Sequence, residues 1–129
     1  MKTAKEFTLW GKNRPGNLAR ITRALSNAGV NITAFVASEA RGRSPVRLVV
    51  DNGAKARAAL KNLGIKFTQA SVVILNLADK PGALARAAEK LAASGVNIDY
   101  GYATAPPSGN RATIVLAVSD LAKARRALG

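Results

Sequence analysis

The sequence predicts an α+β fold built from two ferredoxin-like βαββαβ repeats, each with an antiparallel sheet and both helices on one face. Two observations support this fold. One set of short motifs occurs twice in the same register, and strand and helix patterns follow it in the same order each time. The length of 129 residues suits one ordinary domain or two very small ones. We expect the first repeat at 1–68 and the second at 69–129.

The internal repeat is visible as a direct alignment of two segments. NRPGNLAR at 13–20 aligns with DKPGALAR at 79–86, and GVNI at 29–32 aligns with GVNI at 95–98. Both matches have the same offset, 82 − 16 = 66, and ten of the 22 positions from 13 to 34 are identical. Chance does not readily produce such agreement in a single register, so the sequence indicates a tandem duplication.

Each copy begins with a strand that a Pro-Gly pair ends, and an amphipathic helix follows up to Gly29 or Gly95. A hairpin and a second helix come next. The predicted elements of the first copy are 7–10, 18–28, 31–38, 46–50, 52–62 and 65–68, and those of the second are 72–77, 84–94, 97–104, 112–118 and 119–128. The hairpin turns are predicted at 41–45 and 106–110. The second copy lacks a last strand, so either a partner supplies that strand or the sheet has three strands.

Strict alternation along the strands predicts which side chains face the helices. Those expected on the helix side are Phe7, Leu9, Ile32, Ala34, Val36, Val46, Leu48, Val50, Val73, Leu75, Ile98, Tyr100, Tyr102, Ile114, Leu116 and Val118. Those expected on the opposite face are Trp10, Phe35, Ala37, Val49, Val72, Ile74, Ala103, Val115 and Ala117. That second face is apolar enough to need a cover, and we expect the other copy or a second chain to pack there.

The composition excludes much common catalysis. The chain has neither cysteine nor histidine, so it cannot build a Ser-His-Asp or Cys-His system, a disulfide or a zinc site of the usual ligands. Its seven carboxylates form no close pair in sequence, and no glycine motif for nucleotide phosphates occurs. We therefore expect no catalytic residues, no metal site and no cofactor.

Localisation and charge bear on the possible partners. No signal-peptide pattern or run of about 20 apolar residues occurs, so we expect a cytoplasmic protein without a membrane partner. The net charge of +13 makes nucleic acid an alternative partner. Trp10 and Phe35 on the open face would suit base stacking, but the strand at 46–50 has no aromatic residue. Steep salt dependence would mark that alternative.

The order of strand, Asn/Asp-x-Pro-Gly-x-Leu, helix, Gly-Val-Asn-Ile and strand resembles that of ACT domains. It looks most like the stand-alone bacterial proteins that contain two ACT domains and no enzyme domain. The resemblance implies that an amino acid binds between the loop after one domain's first strand and the start of a neighbouring domain's second strand. Family members that bind serine use two asparagines there, which match Asn13 and Asn31, and in the second copy Asp79 and Asn97.

The helix after each Pro-Gly pair supports this placement, because backbone N–H groups at a helix N-terminus favour a carboxylate. The residues concerned are Gly16, Asn17 and Leu18 in the first copy and Gly82, Ala83 and Leu84 in the second. The second copy departs from the first because Asp79 would disfavour a nearby carboxylate and Ala83 replaces Asn17. The resemblance therefore implies a non-catalytic regulator that binds a small amino acid or related metabolite. We expect the chain to form a homodimer and any regulated target to be a separate protein.

Structural explanations of the same residues stay open. Asn13 and Asp79 would also suit turn residues that cap a helix, and Asn31 and Asn97 would suit bonds to local backbone only. Tyr100 and Tyr102 occupy positions of Ala34 and Val36 in the first copy, which favours core packing over a stacking ladder.

Overall fold

The computed structural model describes residues 1–12, 14–39, 45–104 and 109–129, and confirms the predicted α+β fold. Its elements are β1 (Lys2–Trp10), α1 (Asn17–Asn27), β2 (Ile32–Ala37), β3 (Val46–Val50), α2 (Gly53–Leu63), β4 (Lys66–Ala78), α3 (Ala83–Ala93), β5 (Ile98–Thr104), β6 (Arg111–Val118) and α4 (Leu121–Leu128). The predicted strands at 65–68 and 72–77 form the single strand β4. Of the predicted turns, 41–44 and 106–108 lie outside the described residues.

One compact unit comprises Lys5–Ala70 and has the ferredoxin-like strand order β2-β3-β1-β4. Strand β3 is antiparallel to both β1 and β2. The apolar stripes of α1 and α2 pack on one face of this sheet, because their buried positions recur at helical spacing. The buried core consists of Phe7, Leu9, Ile21, Leu25, Val30, Val46, Leu48, Val50, Ala56 and Leu60.

The second unit comprises Met1–Ala4 together with Ser71–Gly129, and its strand order is β1-β4-β6-β5. Its core consists of Val73, Leu75, Ala87, Leu91, Val96, Ala112, Ile114, Leu116 and Ala124. Met1 packs against this core, and its amino group donates a hydrogen bond to the Gly129 carbonyl at 2.5 Å. The start of β1 thus lies beside β4, where a last strand of the second repeat would lie. The sequence led us to expect either a partner's strand or a sheet of three strands. Both expectations were wrong, because the start of β1 completes this sheet.

A β-bulge in each repeat overturns part of the predicted alternation. The register shifts between Ile32 and Ala34 and again between Ile98 and Tyr100, so one extra residue, Thr33 or Asp99, stands in each edge strand. A one-residue shift moves every later side chain to the other face of the sheet.

Residues after the bulge therefore lie opposite to their predicted face. Phe35 pairs with Leu48, and Gly101 pairs with Leu116, whose side chain is 2.8 Å from where a Gly101 Cβ would be. By register, Phe35, Ala37 and Ala103 lie on the helix side, whereas Ala34, Val36, Tyr100 and Tyr102 lie on the opposite face. Core packing of the two tyrosines was the wrong expectation, and neither belongs to a core cluster.

The face opposite the helices is partly buried within the chain. Val49, Val72 and Val115 are buried although they belong to neither core cluster, and Glu6 and Thr8 are the buried polar residues of the described chain. Packing of a second chain on this face stays a prediction. None of the helices in the described ranges combines the length and apolar character that a membrane crossing requires.

Candidate functional site

Glycine begins the first helix of each repeat. Gly16 is the N-cap of α1 with φ 89°, and Gly82 is the N-cap of α3 with φ 92°. Residues with a side chain rarely adopt this left-handed backbone conformation, which explains the glycine after the proline in both copies. The carbonyl of each glycine accepts the first helical bond, from the N–H of Arg20 at 2.9 Å and of Arg86 at 3.0 Å. A glycine cap offers no side-chain acceptor to the first N–H groups of its helix.

The second helix of each repeat begins differently. The Asn52 Oδ1 accepts a bond from the Lys55 N–H at 3.1 Å, and the Asp120 Oδ1 accepts one from the Lys123 N–H at 2.9 Å. Helices α2 and α4 therefore carry their own side-chain caps, whereas the cap residues of α1 and α3 cannot. The expectation that Asp79 caps a helix is wrong, because Gly82 takes that position. Asn13, its counterpart, lies outside the described residues.

The predicted N–H donors are partly occupied. The Asn17 N–H donates to the Arg14 carbonyl at 3.3 Å, and the Ala83 N–H donates to the Lys80 carbonyl at 3.4 Å. Both bonds are longer than typical N–H···O bonds, so they are weak. An anion at the helix N-terminus would offer these groups a stronger acceptor.

The side chains at the helix starts differ between the repeats. The Asn17 amide lies over Gly11 at the end of β1, where an added Cβ would be 3.1 Å from Asn17 Nδ2. Leu18 packs against the core of its unit. In the second repeat Ala83 offers no amide, and Leu84 is 49% exposed. An amide and a half-buried leucine thus mark the first repeat alone.

The asparagines before β2 and β5 have their backbones fixed in the same way. The Asn31 N–H donates to the Asp51 Oδ1 at 3.0 Å, and the Asn97 N–H donates to the Ser119 Oγ at 2.9 Å. In return the Asn31 and Asn97 carbonyls accept the N–H groups of Asp51 at 3.1 Å and Ser119 at 2.9 Å. Sequence reasoning missed Asp51 and Ser119, although both directly precede a capping residue.

The two asparagine side chains differ. The Asn97 Nδ2 donates to the Asp99 Oδ1 at 2.8 Å. In the first repeat Thr33 replaces this aspartate, and its hydroxyl donates to the Val49 carbonyl at 3.1 Å. The Asn31 side chain is exposed and has no counterpart of Asp99, although the Asp51 carboxylate accepts a bond from the Asn31 N–H.

Within one repeat, the glycine-capped turn and the asparagine are far apart. Leu9 and Ala37 both pair with Val46, so the ends of β1 and β2 lie at the same edge of the unit. Asn31 precedes the six residues of β2, so it lies at the opposite end of the strands, about 20 Å from the glycine-capped turn. In the second repeat Asn76 and Thr104 both pair with Thr113, which separates Asp79 from Asn97 in the same way. The structure thus does not bring the predicted residues of one repeat together.

Two cavities flank the start of α1. One of about 290 Å³ is lined by residues that include Asn17, Leu18 and Ser38. The other, of about 320 Å³, lies between the end of β1, α1 and the start of β4, and Asn17 lines it as well. Within the described ranges, no group of three or more Asp, Glu, His or Cys residues could hold a metal ion.

The repeat, the strand order and the paired turns together define a tandem pair of ferredoxin-like α+β domains. The chain matches the family model of the ACT domain pair over residues 2–128 and belongs to that family. This confirms the resemblance inferred from the sequence.

Comparison with solved structures agrees with the family assignment. A protein from Bacteroides thetaiotaomicron is similar with a TM-score of 0.90 and 30% identity, over 98% of this chain and 86% of that chain. The ligand-free regulatory subunit of aspartate kinase from Thermus thermophilus has a TM-score of 0.70 and 21% identity, over 96% and 87%. The regulatory subunit from Thermus flavus has a TM-score of 0.67 and 17% identity, over 98% and 94%. The two subunits show a shared fold. No curated protein matches the sequence.

Proposed function

We propose that the chain is a non-catalytic regulator that binds a small amino acid or related metabolite at an interface between ACT domains. The ligand lies between the glycine-capped turn of one domain and the asparagine that precedes the second strand of another. In the first repeat these residues are Asn13, Gly16, Asn17, Leu18 and Asn31. In the second they are Asp79, Gly82, Ala83, Leu84 and Asn97.

The contrast between the helix starts is the observation that carries this proposal. Helices α2 and α4 are capped by Asn52 and Asp120, whereas α1 and α3 begin at glycines that supply no acceptor. The α-carboxylate of an amino acid supplies the acceptor that these helices lack, and the helix dipole favours its charge.

The position of Asn31 supports a shared site. Its amide is exposed, and it lies at the edge of the unit opposite to Gly16. One ligand can contact both only if a second domain supplies one of them. A homodimer meets this requirement, and binding then shifts its equilibrium if the ligand prefers one arrangement. Such a shift would act on a separate target protein.

The first repeat is the stronger of the two sites. The Asn97 amide is already bonded to Asp99, and Asp79 adds a negative charge where a carboxylate would bind. In the first repeat Thr33 replaces Asp99, and the Asp51 carboxylate is bonded to the Asn31 backbone N–H rather than to its side-chain amide. We expect binding through the first repeat to dominate.

Thermal unfolding of the full chain against the twenty amino acids, each at millimolar concentration, tests the proposal. A ligand at about 100 times its dissociation constant stabilises a protein by about 2.7 kcal/mol. Asn13→Ala and Asn31→Ala should each weaken binding by about 1 to 3 kcal/mol. Asn62→Ala, a change on the exposed side of α2, is the control. Unchanged affinity in both site variants would contradict the proposed site.

A second candidate rests on the bulge in β5, which places Tyr100 and Tyr102 on the face opposite the helices, where bases stack in RNA-binding ferredoxin-like sheets. The charge of +13 also favours it. If no amino acid stabilises the chain, fluorescence titration with single-stranded RNA at two salt concentrations decides. Tight binding with a steep salt dependence would support the second candidate.

A further inference from the structure

The cavity of about 320 Å³ beside α1 is surrounded by positive charge. Lys12 and Arg14 line it from the segment after β1, Arg20 lines it from α1, and Lys66 lines it from the start of β4. The described residues that line it include no Asp or Glu. Four cations from three separate elements thus converge on one concave site.

These cations lack a side-chain partner among the described residues, although Glu39 lines the neighbouring cavity of about 290 Å³ together with Lys12 and Arg14. Within the described part of the chain, the side chains of Lys12, Arg14, Arg20 and Lys66 make no hydrogen bond or ion pair. Like charges around a concave site repel one another and raise its positive potential, which attracts anions. A bound anion would relieve that repulsion.

The rest of the lining suits a small organic molecule better than a bare ion. Trp10, Leu9 and Ile65 provide apolar surface, and the Asn17 amide provides a donor and an acceptor. Ligand sites commonly combine apolar walls with a few polar groups that fix orientation. A cavity of this size accommodates the side chain of a small metabolite.

We infer that the ligand of the first repeat carries a second acidic group, a carboxylate or a phosphate, which this cavity binds. The inference rests on the proposed function, and it narrows the ligand to metabolites with a net negative charge. The α-carboxylate contacts the glycine-capped start of α1, and the second acidic group lies among Arg14, Arg20 and Lys66.

The second repeat reproduces this cavity's chemistry only in part, because Lys80 and Arg86 correspond to Arg14 and Arg20 while other lining residues differ. At the offset of 66, Asn76 replaces Trp10, Ala78 replaces Lys12 and Ala83 replaces Asn17. The start of β1 takes the place of the strand that Lys66 begins in the first repeat. The apolar wall, Lys12 and the Asn17 amide therefore distinguish the first repeat, where we expect the stronger preference for an acidic ligand.

Calorimetric titration of the full chain with matched ligand pairs tests the inference. The pairs are glutamate with glutamine, aspartate with asparagine, and phosphoserine with serine. The first two pairs differ in charge at nearly equal shape, and the third adds a phosphate group. The acidic member of at least one pair should bind about tenfold more tightly or better. The pair with the largest ratio distinguishes a carboxylate from a phosphate. Equal or weaker binding of all three acidic members would overturn the inference and leave the proposed function standing.

Variants then locate the effect. Arg20→Gln and Lys66→Gln should remove most of the preference for the acidic member. Arg23→Gln and Lys61→Gln remove the same charge from exposed helix positions and should retain it. An equal loss in all four variants would mean that net charge alone causes the preference, which overturns the inference.

A separate result distinguishes failure of the proposed function. If no amino acid binds, the chain is titrated with glutarate and with inorganic phosphate, which lack an amino group. This titration tests whether the cavity binds anions. Binding that Arg20→Gln abolishes and Arg23→Gln does not would retain the cavity as an anion site. Absence of binding by both anions would overturn the inference as well.

Discussion

Asn31 and Asp51 are joined by a reciprocal pair of hydrogen bonds. The Asn31 N–H donates to the Asp51 Oδ1 at 3.0 Å, and the Asp51 N–H donates to the Asn31 carbonyl at 3.1 Å. The pair fixes the backbone at the start of β2 against the end of β3, so the Asn31 side chain projects from a defined position. Ser119 does the same for Asn97 with a hydroxyl in place of a carboxylate.

Replacing Asp51 tests this support. Asp51→Ala should lower the free energy of unfolding by about 1 kcal/mol, because one hydrogen bond at an exposed position is lost. Asp51→Ser should retain much of the stability, since the Ser119 hydroxyl accepts the equivalent hydrogen bond in the second repeat. Urea unfolding of the three proteins measures the difference. An alanine variant as stable as the parent would show that the bond contributes nothing.

The side-chain caps of α2 and α4 give a second prediction. Asn52→Ala and Asp120→Ala should each cost about 1 kcal/mol, because the N–H of Lys55 or Lys123 loses its acceptor. Asn52→Asp keeps an acceptor and should leave the midpoint of thermal unfolding close to that of the parent. A loss in Asn52→Asp as large as in Asn52→Ala would point to a cause other than capping.

Alanine at Gly16 should destabilise the chain through the backbone alone. Its φ of 89° costs a residue with a Cβ about 1 to 2 kcal/mol, and no atom lies within 4 Å of the added Cβ. Gly53→Ala at the start of α2 is the matched control, since its Cβ would lie 3.9 Å from Lys5 and alanine favours a helix. Gly53→Ala should be neutral or stabilising. Denaturant titration showing the reverse order would contradict the assigned conformation of Gly16.

Removal of Met1–Ala4 should destabilise the second unit. This segment belongs to that unit, and Met1 packs on its core. Each lost backbone bond costs about 1 kcal/mol, so amide exchange at 72–77 should accelerate. Exchange at 46–50 in the other unit should change less. The variant Lys2→Ser, at an exposed position, is the control and should exchange like the parent. Unchanged protection at 72–77 after the truncation would contradict this role.

The repeat made most of the fold predictable. Because the Pro-Gly and Gly-Val-Asn-Ile segments are identical in both copies, each strand and helix of one copy could be aligned with an equivalent element of the other. The predicted core was right for Phe7, Leu9, Leu48 and Leu116, because each of these lies in a strand without an extra residue before it.

The bulges were not predictable from alternation. Ala34, Phe35 and Val36 are all apolar, so the sequence does not distinguish the two faces of β2 and a shift by one residue leaves no trace in it. The pairing of residues 1–4 with the second unit was also not predictable, because alternation of side chains indicates which face of a sheet they lie on and not which strands pair. The separation of Gly16 from Asn31 within one unit came only from the strand register, whereas the resemblance had already implied a site shared between two domains.

Thr33 and Asp99 are themselves separated by the repeat offset of 66, and both occupy the extra position of a bulge. An irregularity at equivalent positions in both copies is explained most simply if the single ancestral domain already had it before the gene segment duplicated. The later divergence then acted on side chains around a fixed backbone, which left Phe35 in one copy and Gly101 in the other at the same place in the ladder.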